Sequence, residues 1–433
     1  MIPIALFIAA LAAPPQDTAR LTVTTAIDRA LASHPTIAVA RASVDVADAD
    51  VDQARAAWLP GVSLDGSLSR FQKPMVVWPL HALDLRNPPT FDTELSQASI
   101  GAAYTLFDFG ARSAKTKAAT AQRSAADASL NATEQQMAAR TIVSYLRVLT
   151  ARGVLGAEDQ RVAALAAEAT RARHRLAAGK SARVDTLRAA AELANAAADR
   201  VASAANVEMA EHDLARLMGT TPDAMRATAL AGIRLTSTDG AAADAANADV
   251  LAAMRRADAA QASVGAAKAA RLPQLQASTA IVDRSNITGR WLSEWQVGLG
   301  FSWPIFTGGA RESAIRRAEA SSRAAQEQVR LTRLVTEQQV DDARTALDAS
   351  RARFAALQAA EAQSSEVARI TALARDVGEG TQTDYLIAEA ALFRARSGLV
   401  QARHAVIAAR VELARILGEL NRSWIANSLE SQP

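Results

Sequence analysis

The chain has no cysteine, few aromatics (4% of its 433 residues) and one long apolar run, and each shortage closes off a class of protein. Without cysteine there are no disulfides, no thiolate metal sites, no cysteine nucleophile and no lipid-bearing N-terminal Cys, while an oxidising compartment is tolerated. A chain so poor in bulky rings cannot fill several thick globular cores. An excess of one charge is lacking too. The 48 Lys and Arg stand against 45 Asp and Glu, a formal net charge of +3, so no basic surface for nucleic acid is implied. The 5 His residues are scattered and show no metal-ligand spacing. What is abundant is alanine, about a quarter of the chain. Alanine buries little area per residue but has the highest helix propensity, so close helix-on-helix packing is its natural use.

The apolar run, Ile2 to Ala13, is too short to span a bilayer, which takes roughly 20 residues. It has the length of a signal-peptide core, and Ala10-Leu11-Ala12 supplies a small-x-small cleavage pattern, so residues 1–13 are expected to be an export signal. No Lys or Arg precedes the core, so the true start codon is left open. No later stretch could be a transmembrane helix, which leaves a β-barrel as the way to cross a membrane.

The chain repeats itself. Leu214-Ala-Arg-Leu-Met-Gly219 recurs as Leu413-Ala-Arg-Ile-Leu-Gly418, a shift of 199 positions, and at the same shift Phe107 and Gly110-Ala-Arg112 match Phe306 and Gly309-Ala-Arg311. Upstream the shift becomes 213, where Leu59-Pro60 falls on Leu272-Pro273. The extra 14 residues lie in the first copy, where 73–89 reads as a long loop. So long a period means duplication of a structural half rather than a solenoid. The expected division is 14–219 and 246–418 as repeats, 220–245 as a link and 419–433 as a tail.

Each half runs through the same patterns. An Ala-rich helix, Thr24 to Ala57 and again Ala246 to Ala270, is ended by Leu-Pro. The period then changes to two: Val62, Leu64, Gly66 and Leu68 alternate with Ser63, Asp65, Ser67 and Ser69, and Trp295, Val297, Leu299 and Phe301 with Gln296, Gly298, Gly300 and Ser302. Two such segments per half give four strands of about 10 residues, each with an apolar and a polar face, as transmembrane strands have. Of the 18 aromatics, 12 fall in 58–109 or 291–306, as interfacial girdles require. A small soluble sandwich with an aromatic core is the competing reading of those windows. From Ala111 to Ala178 and from Ala310 to Val377 there is no Pro, and about 68 residues of helix reach ~100 Å. Val148, Leu155, Val162, Ala169 and Leu176 recur every 7 residues, a coiled-coil seam. Gly179 and Gly378 are placed to end these rods, and shorter helices return over 183–218 and 384–417.

In this order, Leu21-Thr-Val-Thr-Thr-Ala-Ile-Asp-Arg-Ala-Leu31 with His34-Pro35, Trp58-Leu-Pro60, Phe107-Asp-Phe-Gly-Ala-Arg112, Trp303-Pro-Ile-Phe-Thr-Gly-Gly-Ala-Arg311 and Gly378 with Asp384-Tyr-Leu386 resemble the TolC-type outer-membrane efflux proteins over essentially the whole mature chain. The resemblance implies a mixed fold of all-α coiled-coil hairpins and a transmembrane β-barrel shared by a homotrimer, in the outer membrane of a Gram-negative bacterium and continued by a helical tunnel in the periplasm. It implies passive export of substrates delivered by an inner-membrane pump through a periplasmic adaptor, with outer-membrane lipid as a further partner, no nucleic acid, no cofactor and no catalysis. Four strands leave two open edges, which lipid does not tolerate, so several chains must share the barrel; the number three comes from the family. By resemblance, Asp384 is the pore-constriction residue, Asp185 and Arg375 are candidates for a gate latch, and Gly179, Lys180, Val377, Gly378 and Glu379 are tips that contact the adaptor. Thr307-Gly-Gly309 reads as a bend rather than an anion cradle. The alternative from another class is a periplasmic coiled-coil scaffold without a pore.

Overall fold

A computed structural model describes residues 20–77, 91–226, 228–236, 247–286 and 291–432, together with 86, 88 and 289. The export signal, most of the 73–89 loop and residues 237–246 of the link lie outside the described residues. Among those described, no helix is long and apolar enough to cross a membrane.

The first half runs α1 (Val23–Ser33), α2 (Pro35–Ala56), β1 (Gly61–Val76), β2 (Phe91–Phe107), α3 (Ala111–Ala177) and α4 (Arg183–Leu217). After α5 (Pro222–Arg226) and β3 (Gly232–Leu235), the second half repeats the order with α6 (Ala248–Ala269), β4 (Gln274–Ser285), β5 (Trp291–Ser302), α7 (Ala310–Val377) and α8 (Gln382–Ile416), and α9 (Arg422–Ser428) and β6 (Leu429–Gln432) close the chain. The long helices have 67 and 68 residues, as the Pro-free stretches require. One expectation fails. The segment 24–57 is two helices rather than one, because His34 precedes Pro35 and is held extended at ψ 129. The strands also run longer than expected, 16 and 17 residues in the first half and 12 in each strand of the second.

The chain forms two compact units, each drawing on both halves. The unit made of 41–129 and 249–333 carries an antiparallel sheet in the order β1-β2-β4-β5. Its registers align Leu64, Ile100, Ile281 and Trp295 in one row across all four strands. The next row, Asp65, Ser99, Val282 and Glu294, lies on the other face. All four residues of the apolar row are exposed. So continuous an uncovered apolar face is what lipid contact requires, and the soluble-sandwich reading is not favoured because nothing among the described residues packs on it. Among the described residues, β1 and β5 keep one free edge each.

The second unit, 1–40, 130–248 and 334–433, has its core around Tyr145, which is fully buried on α3 among Val23, Ile27, Leu214, Met225, Val411 and Trp424. Its hydroxyl lies 2.6 Å from the Leu21 carbonyl and 2.7 Å from that of Ala231, tying the start of the chain to the link. Burial pushes the Tyr145 phenol up to about 12, so it stays a donor at any physiological pH. The link and the tail meet as β3 and β6, paired antiparallel from Gly232↔Gln432 to Leu235↔Leu429. Of the heptad residues, Val148 and Ala169 are buried, while Leu176, close to the hairpin turn, is exposed.

Candidate functional site: the hairpin tips

Two helical hairpins, α3–α4 and α7–α8, end in short glycine turns. At the first, Gly179 takes φ +67 and Lys180 donates its amide to the Arg175 carbonyl at 2.8 Å, satisfying an orphan carbonyl of α3. At the second, Gly378 takes φ +88 and the Glu379 amide reaches the Ala374 carbonyl at 2.9 Å. A side chain at either glycine would be strained in that backbone region. The five tip residues Gly179, Lys180, Val377, Gly378 and Glu379 are all exposed.

Asp384 closes a capping box at the start of α8. The Asp384 amide donates to Thr381 Oγ1 at 3.1 Å, and Asp384 Oδ2 accepts from the Thr381 hydroxyl at 2.6 Å and from its amide at 3.3 Å. The carboxylate is thereby fixed in direction yet left exposed to solvent. α4 begins without a side-chain cap, at Ala182, and Asp185 sits in its first turn. Between the hairpins, Arg188 of α4 donates to Thr383 Oγ1 of α8 at 3.2 Å.

Arg375 is placed differently from an exposed tip residue. Its side chain and that of Glu168 on α3 are each 3% exposed, with Nη1 to Oε2 at 2.5 Å. Nη2 reaches Asp376 Oδ1 at 2.8 Å, and the guanidinium stacks over the Tyr385 ring at 4.0 Å. Arg171 completes the group, 3.4 Å from Glu168 and 3.3 Å from Asp376. Hydrogen bonding from Arg375 holds the Asp376 carboxyl below the usual range, and burial raises the Tyr385 phenol. The cluster binds α3 of one hairpin to α7 and α8 of the other. Asp185 is not among these contacts of Arg375. Glu168 and Tyr385 carry no sequence signal for this role: a Glu in an Ala-rich helix reads as solvated, and its partner lies 207 residues away.

A sheet with an uncovered apolar row and two open edges, joined to long hairpins of which no described helix is apolar enough to cross a membrane, is the build of an outer-membrane channel with a helical periplasmic part. The comparisons with known proteins agree. The outer membrane efflux protein family model matches residues 26–220 and 241–419, and the chain belongs to that family. It is 26% identical over 404 residues to the outer membrane efflux protein BepC of Brucella suis biovar 1 (strain 1330), covering 92% of this chain and 86% of that one. In fold it resembles the outer membrane protein VceC of Vibrio cholerae, with a TM-score of 0.78 at 23% identity over 92% of this chain and 96% of that one. It also resembles the open state of the Neisseria gonorrhoeae MtrE outer membrane channel, with a TM-score of 0.77 at 21% identity over 92% and 90%. The protein is the outer-membrane channel component of an efflux system, and members of this family are channels rather than enzymes.

Proposed function

We propose that the channel acts as a homotrimer in a tripartite assembly, fed by an inner-membrane pump through a periplasmic adaptor that docks on the hairpin tips. The carrying observation is the four-strand sheet with an uncovered apolar row and two open edges, since only pairing β5 of one copy with β1 of the next removes those edges in lipid. Three copies give a barrel of twelve strands, within the range of known outer-membrane barrels. The tips suit docking because their glycines let another backbone come close and their only long side chains, Lys180, Val377 and Glu379, are exposed.

Asp384, repeated around a threefold axis, would supply three carboxylates at the periplasmic mouth and favour cations over anions. A latch through Asp185 belongs to the same proposal. Arg375 is held by Glu168 and Asp376 within one chain, so a bond to Asp185 would form by exchange of partners as the mouth opens or closes. The docking test is the double substitution Lys180→Ala with Glu379→Ala, which leaves both turn glycines in place. Adaptor crosslinking and drug resistance should fall together; if both survive, the tips are turns only. The scaffold alternative is not favoured, because an isolated periplasmic rod has no use for an exposed transmembrane row.

A further inference from the structure

The internal duplication gives the chain two matching strand-to-helix junctions 199 positions apart, and they differ where charge is concerned. In the first, Arg112 at the start of α3 is nearly buried and fully engaged. Its Nε lies 2.9 Å from Asp108 Oδ2, its guanidinium stacks 4.6 Å from the Trp58 ring and 5.7 Å from that of Tyr104, and it donates to the Ala57 carbonyl at 3.4 Å. Burial pushes the Asp108 carboxyl up, but the bonds from the Arg112 amide and side chain outweigh it and hold the group below the usual range. At this junction the one buried cation is matched by one buried acid.

At the repeat offsets, Arg311 stands for Arg112, Thr307 for Asp108, Trp303 for Tyr104 and Arg271 for Trp58. The backbone is reproduced: Gly308 and Gly309 turn at φ +61 and +82 where Phe109 and Gly110 turn at φ 50 and 86, and Arg311 donates to the Ala270 carbonyl as Arg112 does to that of Ala57. The carboxylate has gone and a second guanidinium has arrived. A cavity of about 470 Å³ opens here, lined by both arginines with Trp303, Ile305 and Phe306. Glu312 offsets part of the charge, 3.6 Å from Arg271, but both side chains are about half exposed, and such a pair is weak. Two cations and one acid, Glu312, thus line this cavity and leave one net positive charge, where the sister junction balances one cation with one acid.

We propose that this second junction, Arg271 with Arg311 beside Trp303 and Phe306, binds the phosphate of a glycerophospholipid in the periplasmic leaflet of the outer membrane. The occupant follows from position and charge. β5 ends at Ser302, so Trp303 continues the exposed outer row of Trp295, Val297, Leu299 and Phe301. α7 begins at Ala310 and is not apolar enough to enter the bilayer, so the junction marks where the strand leaves it. Trp303 is 53% exposed and Phe306 88%, rings available to acyl chains at the headgroup level. Two guanidiniums lining the same cavity as these rings suit the charge of a phosphodiester. The glycine turn itself only makes the bend.

The inference rests on the outer-membrane placement but not on the adaptor or the pump. The test is native mass spectrometry of the delipidated oligomer in detergent, titrated separately with phosphatidylglycerol, with diacylglycerol (no phosphate) and with glycerol 3-phosphate (no tails). Phosphatidylglycerol should bind in clear preference to the other two. Thr307→Asp installs the carboxylate of the first repeat and Arg271→Trp its ring, both already tolerated in the sister junction, and each should weaken phosphatidylglycerol binding by about tenfold, the loss of one charge-assisted contact. Unchanged binding in both variants overturns the site, and so does equal binding of glycerol 3-phosphate, which would make it an anion site only. Loss of the oligomer with lipid binding intact would also overturn it, by assigning the cavity to a neighbouring copy. Conductance of the wild-type protein in planar bilayers tests the channel independently, so a conducting protein that fails the lipid arms sinks this inference alone.

Discussion

Arg375 is a charge taken almost completely out of water, and it is stable there only because Glu168, Asp376 and the Tyr385 ring meet it from three helices. Removing Glu168 alone leaves the buried cation with only the half-exposed Asp376 carboxylate, and breaking a buried pair in this way costs up to about 3–5 kcal/mol in comparable settings. Glu168→Ala should therefore loosen the contact between the two hairpins near their tips, seen as faster amide hydrogen exchange in the ends of α3 and α7 while the Tyr145 core keeps its protection. The double change Glu168→Leu with Arg375→Met should recover much of that loss, since no charge is then left unpaired. If the single and double variants exchange alike, the cluster is not what joins the hairpins. His404 gives a second residue-scale prediction. It lies on α8 with Nδ1 2.7 Å from Thr150 Oγ1 of α3, and burial, with the Arg403 cation beside it, lowers its pKa from 6.5 to about 4. Between those values the unfolded chain binds a proton that the folded chain refuses, so the stability contributed by neutral His404 is complete above pH 6.5 and is lost as pH falls towards 4. Thermal unfolding followed against pH should show that slope, and His404→Gln should flatten it. A slope of the same size in the variant would assign it to other groups.

At the scale of the element, the start of α8 joins a cap and the proposed pore charge on one side chain. Asp384 completes the capping box with Thr381, and its carboxylate is exposed, as the proposed pore role requires. The two roles separate by substitution. Asp384→Asn keeps an acceptor for the cap but removes the charge, so it should shift the reversal potential of reconstituted channels towards anions with little change in thermal stability. Asp384→Ala should do both, removing the N3 half of the capping box and lowering stability by roughly 0.3–1.5 kcal/mol as well. If Asn leaves the reversal potential unchanged, Asp384 is a cap and nothing more. Much of this element order could be read in the sequence. Strand alternation fixed the facing of the sheet, and Gly179 and Gly378 marked the hairpin turns, because each depends on neighbours within a few residues. The helix break at His34 was equally local, written in Pro35, yet hidden by the unbroken run of helix formers on both sides. β3 and β6 were not legible, since strands of 4 residues have no period to detect and find each other across 194 positions. The Glu168–Arg375 pair was illegible for the same reason in side chains: burial of a charge depends on which helix packs over it, and that is decided far away in the chain.

For the whole molecule, the open question is how many copies close one barrel, and the lack of cysteine makes it answerable. A single cysteine pair in an otherwise cysteine-free chain reports one contact without background, and the oxidising periplasm forms the bond in place. Joining β5 of one copy to β1 of the next must preserve facing, because a slip of one residue would turn the apolar row into the pore. Ser63 and Asp65 of β1 share the polar face with Glu294 and Gln296 of β5, whereas Leu64 and Trp295 share the apolar one. Cysteines scanned in pairs over these positions should link copies only when both lie on one face, since strand partners on the same face bring their Cβ atoms to about 5 Å and residues on opposite faces do not. The two contacting surfaces are different strands, so the contact is head to tail and must close a ring. Under partial oxidation a trimer yields linked dimers and linked trimers on a denaturing gel and no larger species. A ladder that stops at two would mean a barrel of eight strands, and one that climbs past three would mean that the edges do not close into a ring of three.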